Sequence, residues 1–320
     1  MTVGKATQPE RWWFGEIGNH KPFRGHRMTL SHPRAVAGML VVTLMWSSAG
    51  LVTRQLQSAA SFEVTFWRSS FTLLALGLFF ALTRGRSAFT FLRQGGKTLW
   101  MSGLMWAVMF TCFMLAITMT TVANVLITMS ISPLVTAVMA RLMLGHAVKR
   151  RTWVAIMLAG AGIAWMYGHN LNADPKHLVG TLVAAAVPIA AAINWILLQR
   201  SGKSVNLVPA LLIGALISSV VVLPFAMPFR ASLPDLGWLA FLGVFQLAIP
   251  CTLAVQLARH LPAPEISLLA LLETVFGIAW VWWISNERPS NHVLIGGSVV
   301  LLTLAINEIV GMLSSKRERT

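Results

Sequence analysis

Two charged side chains lie within long apolar stretches of the sequence, where an isolated charge is costly. Glu273 stands at the centre of LLALLETVFGIAW, and Arg68 lies about one and a half helical turns into FEVTFWRSSFTLLAL. The Arg68 side chain could bind a ligand carboxylate, contribute to an outer gate, extend to the lipid headgroups or pair with Glu63. The Glu273 carboxyl group could bind an ammonium group, couple a proton, or stay protonated in a hydrogen bond to a neighbouring helix.

Aromatic and neutral polar residues recur in the same kind of stretch. Trp46 is followed by Ser47, Ser48 and Gly50, small residues that let another helix approach while the indole fills the space beside it. Such residues either pack helices together or line a cavity, and a Thr side chain can instead bond to its own helix. The other candidates for a cavity lining are Trp106, Phe110, Asn124, Thr128, Asn194, Trp195 and Gln246.

Three prolines fall inside predicted helices. Pro133, Pro188 and Pro250 each remove a backbone N–H donor and bend the helix that contains them. Such bends are candidate hinges for a bundle that changes conformation, but proline is also common in membrane helices without such a role.

Sequence motifs of enzymatic chemistry do not occur. The chain has no HExxH, no GxxxxGK[ST] and no nucleophile elbow, and His146, His260 and His292 have no carboxylate at a catalytic spacing. Cys112 and Cys251 lie in apolar stretches, which favours small core residues over a disulfide or a zinc site. We therefore expect no enzymatic activity, no cofactor and no metal ion.

The composition requires a lipid bilayer around these residues. Hydrophobic residues make up 56% of the 320 residues and charged residues only 11%, which excludes a soluble globular chain. Ten apolar segments approach the ~20 residues that cross a bilayer as a helix. We predict an all-α integral membrane protein with spans at 35–56, 62–83, 98–119, 121–144, 151–167, 178–198, 205–227, 236–258, 264–284 and 291–313.

The basic residues indicate how the chain is oriented. With a cytoplasmic N-terminus, 20 of the 25 Lys and Arg residues fall in cytoplasmic segments, as the positive-inside rule requires. The net charge of +15 is thereby explained without nucleic acid. Residues 1–34 form a basic cytoplasmic arm, too long and mixed for a signal peptide, and 314–320 form a basic cytoplasmic tail. Met28 is a candidate for the true start, because the membrane pattern improves after it.

The second half of the chain repeats the layout of the first. A shift of 141 residues places Thr121–Trp165 on Pro262–Ile306, so we predict two five-helix repeats at 35–168 and 178–313. Because five crossings is an odd number, the second repeat enters the membrane upside down relative to the first. Inverted repeats of this kind surround a shared central cavity near the membrane midplane.

The motifs LMWSSAGLVTRQL and FEVTFWRSSFTLLAL, together with the stretch around Pro133, have the order and spacing of a known family. The chain resembles the ten-helix EamA-type members of the drug/metabolite transporter superfamily. That family commonly has Gly-Glu in the turn after the fourth span, where this sequence has Gly145-His146, while Glu287 in SNERPS keeps the acid of the second copy.

The resemblance implies a secondary transporter or exporter that moves small amphiphilic metabolites by alternating access, and it suggests amino acids with aromatic or apolar side chains. One deep cation disfavours phosphorylated solutes, which call for several Lys or Arg residues. The alternatives are transport of drugs or other metabolites, or, as a different class, an intramembrane enzyme or an assembly subunit. We expect a monomer or weak dimer in the cell inner membrane, with both termini cytoplasmic.

Overall fold

The computed structural model describes residues 32–84, 95–144, 150–168, 175–201, 207–257, 260–261, 263–285 and 288–317. These residues form helices joined by short turns, and they contain no β-strand. Met28, His146 and Glu287 lie outside the described residues, as do most of the predicted N-terminal arm and the end of the tail.

The helices follow the predicted spans to within a few residues at each end. In the first half they are α1 (His32–Thr53), α2 (Ser61–Arg84), α3 (Gly96–Met119), α4 (Val122–Ser130), α5 (Ser132–Leu144) and α6 (Arg150–Gly168). In the second half they are α7 (Pro175–Ser201), α8 (Val208–Ala226), α9 (Leu233–Phe241), a π-helix (Leu242–Ala248), α10 (Ile249–Leu257), α11 (Ala263–Ile284) and α12 (Asn291–Arg317).

Eight helical stretches of the described residues are long and apolar enough to cross a membrane. They are His32–Thr53, Ser61–Thr83, Gly96–Met119, Val122–Met143, His177–Leu197, Val208–Ala226, Leu233–Leu257 and Asn291–Gly311. The apolar part of α11, Leu269–Ile284, is shorter, and α6 is not among the eight. The expectation of ten crossings in two inverted repeats therefore stays a prediction.

Two of the candidate hinge prolines lie at or near breaks in helical geometry. Pro133 has no N–H to continue the helix, and the chain turns at Ile131, whose carbonyl accepts bonds from Leu134 (2.9 Å) and Val135 (3.1 Å). Pro250 is the second residue after the π-helix, whereas Pro188 lies inside the continuous helix α7. A hinge role for each proline stays a prediction.

The π-helix packs directly on the backbone of α2 at Gly243. A Cβ added there would lie 2.6 Å from the Arg68 carbonyl oxygen and 2.6 Å from the Cβ of Phe71. The Gly243 carbonyl also accepts a hydrogen bond of 2.8 Å from the Thr72 hydroxyl. The absence of a side chain at Gly243 thus sets the distance between the π-helix and the turn of α2 that contains Arg68.

Two buried carboxylates join the turn between α1 and α2 to the turn between α8 and α9. Glu63 in α2 accepts hydrogen bonds from the backbone N–H groups of Arg230 and Ala231. Asp235 in α9 accepts bonds from two backbone N–H groups of the other turn and forms a capping box with the N-cap residue of α9. Each helix N-terminus thus carries a carboxylate that binds the opposite turn, and these charge-assisted bonds hold α2 against α9.

Replacing Gly243 by alanine tests the close approach of the π-helix. The added methyl group must push the π-helix and α2 apart, at an expected cost of about 1–3 kcal/mol. The measurement is the melting temperature of the purified protein in detergent. Gly237→Ala is the matched control, because a Cβ at Gly237 meets nothing within 4 Å. An unchanged melting temperature for Gly243→Ala would contradict the packing described.

Replacing Asp235 by asparagine tests the carboxylate pair. The amide offers one acceptor oxygen where the carboxylate offers two, and it places an N–H group against a backbone donor, so we expect a loss of about 1.5–3 kcal/mol for each bond that breaks. The readout is again the melting temperature. Gln57→Ala serves as the control, since Asp235 bonds to the backbone of Gln57 and not to its side chain. Equal melting temperatures for both variants would refute the role assigned to Asp235.

Candidate functional site

A cavity of about 540 Å³ lies in the middle of the bundle, between helices of both halves of the chain. Its walls are mostly apolar, with methionines and small aliphatic residues between larger rings. The aromatic lining residues are Trp46, Trp106, Phe110, Phe113 and Trp195. Trp106 and Phe110 contact each other with ring centroids 5.5 Å apart. A concave, mainly apolar site with few polar groups is typical of a small-molecule binding site.

Arg68 contributes the positive charge of the cavity. Its residue surface is only 1% exposed, and one Nη donates a 2.9 Å hydrogen bond to Oε1 of Gln246. The other Nη lies 3.5 Å from the Phe110 carbonyl oxygen, and the guanidinium carbon is 5.5 Å from the centroid of the Phe113 ring. Nε has no hydrogen-bond partner among the described residues. The guanidinium therefore keeps hydrogen-bonding capacity that the described residues do not use.

Gln246 connects the guanidinium to a third helix. Its side-chain oxygen accepts the bond from Arg68, and its Nε2 donates a 3.3 Å bond to the backbone carbonyl of Trp46 in α1. Gln246 lies in the π-helix, one turn beyond the close contact at Gly243. Irregular helical turns of this type are frequent at functional sites.

Glu273 contributes an acidic side chain to the cavity lining. It lies in the middle of α11, lines the cavity and is only partly buried. Arg68 lines the same cavity, and the hydrogen bonds of Arg68 go to Phe110 and Gln246. The alternative pairing of Arg68 with Glu63 does not occur, because Glu63 accepts from backbone N–H groups and from the Trp67 indole.

Three predicted site residues are buried outside the cavity lining. The Asn124 side-chain amide donates to the Thr120 hydroxyl at 3.2 Å, and its Oδ1 has no partner among the described residues. Asn194 accepts a 2.6 Å bond from Ser102. Thr128 is 4% exposed and does not border the cavity. Substrate binding by these three residues stays a prediction.

Several lining residues were not singled out from the sequence. Phe113 could have been found, because Trp106, Phe110 and Phe113 follow the i, i+4, i+7 pattern of one helix face. Cys251 borders the cavity, where its apolar sequence context indicated only a core residue. Thr274 also borders the cavity and donates a 3.3 Å bond to the Leu126 carbonyl. No group of three or more metal-ligating side chains occurs among the described residues.

The cavity can be tested for water with thiol chemistry. We expect Ala140→Cys, which places a thiol in the lining, to react with a small charged methanethiosulfonate in a background where Cys112 and Cys251 are replaced by alanine. Leu74→Cys is the control, because this side chain is 65% exposed on an apolar helix and lipid suppresses the reactive thiolate. Mass spectrometry measures the labelling. Faster labelling at position 74 than at position 140 would contradict a hydrated cavity.

Comparisons with known proteins agree with this architecture. A solved structure titled "Crystal structure of protein" shares 17% identity with the chain, covers 88% of this chain and 99% of its own, and has a TM-score of 0.59, which shows a similar fold. No curated protein matches the chain. Two stretches, residues 33–168 and 178–308, match the EamA-like transporter family. Since these stretches cover most of the sequence, the chain belongs to the EamA-like transporter family and is a membrane transporter of the drug/metabolite superfamily.

Proposed function

We propose that the protein is a secondary transporter or exporter of amino acids with aromatic or apolar side chains, and that it works by alternating access. The observation that carries this proposal is the presence of a basic side chain, Arg68, and an acidic side chain, Glu273, on the wall of a mostly apolar cavity that is rich in aromatic residues. Arg68 donates its hydrogen bonds to Gln246 and to the Phe110 carbonyl rather than to Glu273.

Such a cavity matches the chemistry of a zwitterion with an apolar side chain. The unused donors of Arg68 suit a carboxylate, since charge-assisted guanidinium–carboxylate bonds are strong and directional. Glu273 suits the ammonium group, and Trp46, Trp106 and Trp195 offer apolar faces to the side chain. A zwitterion adds no net charge to the site, so the cost of removing each charge from water is offset by an opposite charge.

The packing of the helices supports the proposed repeat and the direction of access. The first helix, α1, packs on α11, and α7 at the corresponding place in the second half packs on α4 and α5, as a pseudo-twofold axis requires. The cavity reaches from Arg68 toward Met39 and Ala140, at the end of the bundle where α1 begins. We place the protein in the cell inner membrane, in the orientation proposed from the basic residues. In that orientation this end of the cavity faces the cytoplasm.

Counterflow in proteoliposomes tests the proposal. We expect vesicles loaded with unlabelled phenylalanine to accumulate labelled phenylalanine in a saturable way, and excess external tryptophan to inhibit the exchange. Arg68→Gln and Glu273→Gln should each lower this exchange by at least about tenfold, because each leaves one charge of the zwitterion unpaired in the cavity. Gln256→Ala, outside the cavity lining, is the matched control.

Other outcomes identify the alternatives. Exchange of uncharged drugs or other metabolites without exchange of amino acids would favour a different substrate of the same superfamily. Full phenylalanine exchange by both the Arg68→Gln and the Glu273→Gln variants would show that these two side chains do not bind the substrate. The absence of flux with every solute would favour an assembly subunit or an intramembrane enzyme.

A further inference from the structure

We infer that Gln246 is a positioning residue that keeps Arg68 available for a substrate carboxylate by preventing its collapse onto Glu273. This inference rests on the proposed function and deepens it, because it assigns carboxylate recognition to one end of the cavity. The chemical group recognised there is a carboxylate attached to an apolar or aromatic body.

Gln246 holds the Arg68 guanidinium through a hydrogen bond from an uncharged side chain. Its Oε1 accepts a 2.9 Å hydrogen bond from one Nη of Arg68, and its Nε2 donates a 3.3 Å bond to the Trp46 carbonyl. Both ends of the amide are therefore bonded, which also decides which end faces Arg68. The amide holds the guanidinium in place without neutralising its charge.

The fold places Gln246 at this point through an irregular segment. The π-helix turns Gln246, which is 2% exposed, toward α2, and Gly243 lets the two backbones meet. The guanidinium carbon lies over the Phe113 ring, 5.5 Å from its centroid. Rotation of the guanidinium is therefore restricted by contacts from α3 and the π-helix, and Nε has no hydrogen-bond partner among the described residues.

A direct salt bridge would defeat binding of a zwitterion. If Arg68 and Glu273 were bonded to each other, a substrate would have to break that bond before its carboxylate and ammonium groups could pair. The observed arrangement avoids this cost, because Arg68 donates its hydrogen bonds to Gln246 and to the Phe110 carbonyl instead of to Glu273. An acid at position 246 would restore the unwanted neutralisation.

The variant Gln246→Glu provides a charge-selectivity test. Thermal shift titrations would give the affinities of the full-length protein for phenylalanine, 3-phenylpropionate and phenethylamine, which share a ring and differ in charge. We expect Gln246→Glu to lower the affinity for 3-phenylpropionate and for phenylalanine by at least about tenfold. The affinity for phenethylamine should stay the same or rise, because the cavity gains a negative charge. Gln256→Glu, the same change in the following helix and outside the cavity lining, should alter none of the three affinities.

The pattern of the three affinities decides the outcome. Equal weakening of all three ligands by Gln246→Glu would overturn the inference, since it would show a general packing role. Unchanged carboxylate affinity would overturn it as well. If the glutamate variant does not fold, Gln246→Asn replaces it, because the shorter amide cannot bridge Arg68 and Trp46. This variant should also lower the affinity for phenylalanine and 3-phenylpropionate selectively. A wild-type protein that binds none of the three ligands would instead refute the proposed function itself.

Discussion

Burial of the Arg68 guanidinium is the constraint on which the rest of the site depends. A cation that is removed from water inside a membrane-spanning bundle requires acceptors and opposite charge. The structure supplies acceptors and an acidic group from separate elements: the Phe110 carbonyl and the Phe113 ring from α3, the Gln246 amide from the π-helix, and the Glu273 side chain from α11. Because no single helix provides all the partners of Arg68, the site is complete only when these helices are packed together.

The buried charges of the protein differ in how fully they are satisfied. Glu63 receives backbone and indole N–H bonds on its carboxylate oxygens, and Asp235 receives several backbone N–H bonds and closes a capping box. These two carboxylates have little capacity left for a ligand, and their position at helix N-termini, bonded to the opposite turns, gives them a structural role. Arg68 keeps an unbonded Nε, and Glu273 remains partly exposed to the cavity. Incomplete satisfaction, more than burial alone, distinguishes a binding group from a structural one.

Hydropathy and the position of unusual residues predicted much of this arrangement. The helices follow the apolar segments, and Arg68, Glu273, Trp46, Trp106, Phe110, Trp195 and Gln246 all reach the cavity. Asn124, Thr128 and Asn194 do not border it. The sequence could not exclude them, because it does not show which face of a mostly apolar membrane helix turns toward the cavity. The π-helix and the contact at Gly243 were not predicted either, since both arise from packing against α2 rather than from local preference.

The strengths of the contacts around the cavity indicate which parts move together in an alternating-access cycle. Charged groups bonded to backbone tie α2 to the α8–α9 turn and α9 to the α1–α2 turn, so Arg68 and the π-helix carrying Gln246 belong to one firmly joined unit. In contrast, α11 bonds to α4 and to α1 through neutral groups: the Thr274 hydroxyl donates a 3.3 Å bond to the Leu126 carbonyl, and the Trp280 indole donates a 3.1 Å bond to the Ser47 hydroxyl. Neutral bonds cost less to break than a bond to a charge. Separation of α11 from both α4 and α1 would carry Glu273 away from Arg68 while leaving the Arg68–Gln246 pair intact. The distance between the two charges, and with it the affinity for a zwitterion, would then change with the conformation, which is the differential binding that a transport cycle requires.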